Sequence, residues 1–259
     1  MDTLSPELKK PLVDLLLSVA DDKLILGHRN ADWTGLAPIL EEDIAFSSLA
    51  QDDLAHAMAL FELLATIDGR GADQIAYGRP AAEYRCCRLV ELHDEFDWAV
   101  AIARQFLCDH FEQLRLARLS QSAYRPLRDL AARMLAEERL AIGHADQWVI
   151  RLGKAPEDAR GRIQKALDKL APLAGGLFEP TIDVAALEKV DIYPTLPGDM
   201  HTLWAGAVSN VIDAATLRFT PPPPAAAGTD GRTGHHLPEF ATLLDEMTEV
   251  FRVEPNAAW

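Results

Sequence analysis

Prolines cut this chain into helices. Pro6, Pro38, Pro80, Pro126 and Pro156 each stand at the head of a stretch in which Leu, Ala, Arg and Glu recur at three- and four-residue spacing, while alternating β-rich runs are scarce. A proline in the first helical turn loses nothing, because the amide it lacks has no partner inside the helix. Ser5–Pro6 therefore opens a helix to about Leu26, and the next runs from Pro38 to Gly69. A shorter one is expected from Pro80 to about Leu92, and Asp94 with Asp97 offers capping carboxylates for a helix reaching about Gln121. Pro126 opens a helix that stops at Gly153, Pro156 one ended by Gly175–Gly176, and a last long helix lies between Pro197 and Phe219. The fold class is all-α.

The character changes at "TPPPPAAAGTDGRTG" (Thr220–Gly234), where four consecutive prolines remove amide donors and favour an extended chain. This segment reads as a linker over the surface. Beyond it, Phe240, Leu243, Leu244, Met247, Val250 and Phe251 fall on one helical stripe, fit to dock on the chain's own bundle or on a partner. The expected organisation is a helical bundle over 1–219, a linker over 220–234 and a docking helix over 235–259.

Charge narrows the function. With 40 acidic against 25 basic residues, the formal net charge is −15, the wrong sign for nucleic acid or an anionic membrane. No apolar run approaches the ~20 residues that span a bilayer, and "MDTLSPELKK" lacks the pattern of a signal sequence, so the expected compartment is the cytoplasm. Cys86, Cys87 and Cys108 read as packing residues, and the lack of a CxxC pair disfavours a thiolate-ligated zinc or cluster site. His235 and His236 sit in a mobile-looking tail, where a nickel- or zinc-binding role stays open but is not argued for.

The helix opened by Pro38 carries the chemistry. Stepping by three and four gives Ile39, Glu42, Phe46, Leu49, Asp53, His56, Leu60, Leu63 and Ile67. Six of the nine are large and apolar, so this stripe faces the core and takes Asp53 and His56 with it. A buried carboxylate needs a cation, a hydrogen-bonded partner or a proton. An acid three residues before a histidine is also the pair that dinuclear carboxylate bundles use twice, beside single acids from two further helices. The reading that needs no metal is a buried ion pair or hydrogen-bonded pair.

The second pair is incomplete. In the helix from Pro126 the stripe runs through Leu127, Leu130, Met134, Glu138, Ala141, Ala145, Trp148 and Leu152, so alanine stands where imidazole is needed. His144 is six residues beyond Glu138, too far along the helix for one ion to bind both. Asp109 and Glu112 are candidates for a single acid. Asp21 and Asp22 lie near the end of the first helix. Glu41, Glu42 and Asp43 favour the positive end of their helix, Glu137, Glu138 and His144 suit solvated or interhelical salt-bridging roles, and Trp33 and Trp148 suit core or interface anchors.

Four stretches carry a family resemblance: "DDKLILGHRNADWTGLAPILEEDIA" (Asp21–Ala45), "RQFLCDHFEQL" (Arg104–Leu114), "HADQWVIRLG" (His144–Gly153) and the ending "GHHLPEFATLLDEMTEVFRVEPNAAW". From about Asp21 onward the chain resembles the structural (C-type) members of the bacterial phenylacetyl-CoA epoxidase (monooxygenase) complex. The resemblance implies a ferritin-like up-down bundle with an appended C-terminal helix. It implies a structural role beside a homologous catalytic A subunit that holds a di-iron centre and epoxidises the ring of phenylacetyl-CoA with dioxygen in phenylacetate catabolism. Electrons come from a flavin and iron–sulfur reductase subunit.

Carried over, Asp53, His56, Asp109 and Glu138 match ligand positions of the A subunit. The first-helix glutamate corresponds to an apolar position near Ile25, and the second histidine to Ala141. In the structural members the position of His56 is often not a histidine, so this chain keeps more of the set than its family does. No catalytic residue and no cofactor are expected in this chain. A single metal at Asp53 and His56, in a vestigial or partial site completed by Asp109 and Glu138, stays open, as does a homodimer when the chain is alone. The alternative is a self-sufficient metal-binding bundle or oxidase built on those four residues; a third reading is a generic homodimeric scaffold.

Overall fold

The computed structural model describes residues 4–254; residues 1–3, at the start of the opening stretch, and 255–259, the end of the expected docking helix, lie outside the described residues. In chain order the α-helices are α1 (Pro6–Ala31), α2 (Leu40–Asp68), α3 (Ala72–Tyr77), α4 (Arg88–Glu91), α5 (Trp98–Leu119), α6 (Arg125–Gly153), α7 (Glu157–Ala174), α8 (Val184–Glu188), α9 (Met200–Ala214), α10 (Phe240–Met247) and α11 (Glu249–Val253). No strand occurs among the described residues, and long helices paired through short loops give the all-α, ferritin-like class. The chain forms two compact units. Of the described residues, the middle unit holds Asp94–Glu179 and Leu187–Ala225, and the terminal unit holds 4–93, Pro180–Ala186 and 226–254.

In the terminal unit α1 and α2 form a hairpin around the loop 32–39. Helix α1 passes the expected end at Leu26 because Gly27 does not break it. A Cβ at that position would lie 3.0 Å from the Asp53 Cβ and 3.0 Å from Leu54 Cγ, so the missing side chain lets the two helices touch. Trp33 closes the loop, buried and edge-on to Phe46 at 6.5 Å between ring centroids.

The helix expected from Pro80 to Leu92 is not continuous. A 3-10 turn, Ala81–Glu83, is followed by extended chain before α4. The cause lies in α1: Asp21 accepts the Arg85 amide at 2.7 Å and Asp22 the Cys87 amide at 2.9 Å, so these donors serve carboxylates and not a helix. Each of the two acids also holds a buried arginine. Arg79 pairs with Asp21 and lies 4.1 Å over the Tyr84 ring.

Arg232 grips Asp22 with both terminal guanidinium nitrogens, at 2.8 and 2.6 Å, and donates to the carbonyls of Ser18 and Arg85. The proline run, 221–224, is half-buried or exposed, whereas Asp230, Gly231 and Arg232 beyond it are buried, with Asp230 capping a 3-10 turn, Gly231–Thr233. The tail docks on its own unit. Phe240 meets Tyr84 edge-on at 5.6 Å, and the amphipathic stripe is broken at Thr248 into α10 and α11, leaving Val250 exposed.

In the middle unit α5 and α6 pair through the loop 120–124, and α7 and α9 pack on them. Asp97 caps α5 as expected, accepting the Ala99 amide at 2.9 Å, whereas Asp94 accepts the Phe96 amide and pairs with buried Arg104 at 3.0 Å. Trp204 on α9 donates its indole N–H to the Leu107 carbonyl at 3.1 Å. Trp148 is buried edge-on to Trp98, with centroids 5.4 Å apart.

Candidate functional site

The stripe of α2 is buried where the periodicity puts it: Glu42, Phe46, Asp53, His56 and Leu60 are buried, Leu49, Leu63 and Ile67 half-buried, and only Ile39, at the N-cap, is exposed. Asp53 is 5% exposed, and its charge is met from α1: Lys23 Nζ lies 2.8 Å from Oδ1 and Asn30 donates to Oδ2 at 3.4 Å. Lys23, Gly27 and Asn30 fall one helical turn apart on one face of α1, so the ammonium, the close backbone approach and the amide are presented together. Lys23 is itself 2% exposed. Its buried ammonium and the buried carboxylate depend on each other, because neither retains water to stabilise its charge.

His56 follows one turn after Asp53 and is 6% exposed. The imidazole and the carboxylate share one face of α2, as the spacing requires. The other two residues of the expected set lie in the middle unit. Asp109 is buried on α5 and accepts the Gln105 amide at 2.5 Å; Glu138 is buried on α6, one turn before Ala141. Glu112, the other candidate on α5, is paired with Arg115. Glu137 points out while Glu138 points in, as the α6 stripe demands.

Sequence reasoning did not identify Lys23 and Asn30 as the partners of Asp53. The signal was present in "VADDKLILG", where a lysine stands within an apolar run and needs an acid if the helix is buried. It also passed over a group in the terminal unit: Cys86, Glu91 and His236 bring one sulfur, one carboxylate oxygen and one ring nitrogen within 4.8 Å of one another. His236 is not a residue of a loose tail; its Nδ1 lies 2.6 Å from Glu91 Oε1 and its ring stacks on Phe240 at 4.2 Å. All three cysteines are buried and none forms a disulfide, and burial raises the thiols of Cys86 and Cys87 well above the usual range.

No described helix is long and apolar enough to cross a membrane. The family model for the phenylacetic acid catabolic protein matches residues 1–259. The C component of the 1,2-phenylacetyl-CoA epoxidase of Escherichia coli (strain K12) is 30% identical over 248 residues, which cover 94% of this chain and 97% of that protein. A whole-chain family match, together with a relative covered almost end to end, settles membership: this chain belongs to the phenylacetic acid catabolic protein family.

Proposed function

We propose that this chain is a structural, non-catalytic subunit of a cytoplasmic di-iron monooxygenase that epoxidises the ring of phenylacetyl-CoA during phenylacetate degradation. Its partner is a homologous catalytic A subunit, and the mechanism is binding: a bundle without a working centre of its own stabilises one that has it and helps shape the CoA-ester site. The likeness to the C component of the Escherichia coli epoxidase supports the pathway and the assembly.

One observation carries the non-catalytic part. The carboxylate that α2 offers as a ligand, Asp53, already has a cation at 2.8 Å, the ammonium of Lys23. A divalent iron at the same oxygen would sit against a like charge in a buried site, where repulsion is poorly screened. Alanine at position 141 removes the imidazole partner of Glu138. Asp53, His56, Asp109 and Glu138 are on this reading the remnant of a ligand set, and these residues do not fit a resident di-iron centre.

Two measurements test the proposal. Co-expression with an A subunit encoded beside it is expected to give a complex that copurifies and supports ring epoxidation when a reductase is supplied; failure to associate removes the partner role. Metal analysis after growth with added iron and manganese is expected to find neither metal bound at Asp53 and His56. About two equivalents of either metal per chain, lost in a folded Asp53→Ala/His56→Ala variant, would establish the self-sufficient metalloprotein instead.

A further inference from the structure

We infer that Cys86, Glu91 and His236 form a binding site for one thiophilic divalent cation such as zinc, which fastens the C-terminal tail to the body of the terminal unit. The three residues come from three separate segments: the extended chain before α4, the end of α4, and the stretch leading into α10. Their ligand atoms all lie within 4.8 Å of one another. Cys86 Sγ is 3.5 Å from Glu91 Oε1, and His236 Nδ1 is 2.6 Å from the same oxygen. Around a tetrahedral zinc with ordinary bond lengths, neighbouring ligand atoms are about 3.3–3.8 Å apart. The sulfur–oxygen separation fits as it stands, and the nitrogen–oxygen separation fits once the histidine moves back by less than about 1 Å.

Sulfur, imidazole and carboxylate are the donors zinc takes in proteins, and thiolate favours it over magnesium or calcium. Charge favours a cation as well. Glu91 is 0% exposed, and among the described residues no lysine or arginine side chain pairs with its carboxylate. Thiolate, carboxylate and a divalent ion sum to zero, a neutral group in a buried place. Burial first, and then the buried carboxylate of Glu91, push the Cys86 thiol up, so the thiolate forms only where a cation balances it; Asp21 and Asp22, also close, are each already paired with an arginine.

Binding displaces the Cys86 thiol proton to solvent and breaks the hydrogen bond between His236 Nδ1 and Glu91 Oε1, whose proton also leaves to solvent, so that the neutral imidazole offers its lone pair at Nδ1 and carries its one proton at Nε2. Nε2 is buried with no hydrogen-bond partner, so the proton placed there is an unsatisfied donor whose cost the metal bond has to offset. The fourth position is left for a water molecule.

Cobalt(II) is the probe. Added to the chelator-treated full chain, it is expected to bind at one equivalent, to give a near-ultraviolet thiolate-to-cobalt charge-transfer band, and to be displaced by zinc. The band should vanish in Cys86→Ser and persist in Cys108→Ser. His236→Asn should weaken cobalt binding at least tenfold while helical circular dichroism is kept. Absence of the band in the folded wild-type chain, its survival in Cys86→Ser, or unchanged affinity in His236→Asn would overturn the site and leave only a Glu91–His236 hydrogen bond. Iron or manganese at Asp53 would not produce a signal that depends on Cys86, so this result and that of the preceding proposal are read separately.

Discussion

Arg232 and Asp22 stand 210 positions apart and meet in a two-pronged pair, with the arginine 2% exposed. Breaking a buried pair by removing one partner strands the other, at a cost of about 3–5 kcal/mol. Arg232→Met is expected to destabilise the terminal unit by that order, read as a lower midpoint in urea unfolding followed by circular dichroism. Because Arg232 also serves the carbonyls of Ser18 and Arg85, Asp22→Asn should cost less than Arg232→Met. Equal or reversed costs would show that the carbonyl bonds contribute little.

Lys23 and Asp53 invite a double-mutant cycle. Lys23→Met and Asp53→Leu should each destabilise by about 3–5 kcal/mol, since each removes the opposite charge closest to a buried ion, while the double variant should lose much less than the sum. Additive losses would mean that the 2.8 Å contact is not the chief partner of either group.

Gly27 should not tolerate a side chain. Besides Asp53 and Leu54, a Cβ there would meet the Ala50 carbonyl oxygen at 3.2 Å, and backbone does not swing aside. Gly27→Ala is expected to destabilise by about 1–3 kcal/mol through overpacking and Gly27→Val by more, both measured by thermal unfolding. A neutral or stabilising alanine, the ordinary result for an exposed helical glycine, would contradict the close packing of α1 on α2.

Burial holds the His28 imidazole below its usual value of 6.5, against the opposing pull of Asp32 and, more weakly, Glu246. A base depressed in the folded state gives stability that is present above pH 6.5 and lost as pH falls through the lower folded value, because the unfolded chain takes up the proton first. Urea midpoints should therefore decline below about pH 6.5, and His28→Gln should flatten that decline. An unchanged pH profile in the variant would assign the decline to other groups.

What could be read from the sequence was what repeats every three or four residues. Periodicity separated Glu138 from Glu137 and set Asp53 and His56 on the buried face of α2, since local spacing decides which way a helical side chain points. It could not supply Lys23 as the partner of Asp53, because that pairing depends on which turn of α1 faces which turn of α2. Arg232 was hidden for the same reason and one more: its setting of proline, glycine and threonine has the composition of a loop, and the acid that makes it a core residue belongs to the first helix. The broken helix after Pro80 failed in the same way, its amides having been claimed by Asp21 and Asp22.

The long reach of Arg232 also orders events during synthesis. A chain leaving the ribosome exposes Asp22 early and Arg232 only after the whole middle unit has been translated, so Asp22 waits without its counter-charge. The terminal unit therefore acquires its final packing last, although it contains the residues made first, and any stall before position 232 leaves it open.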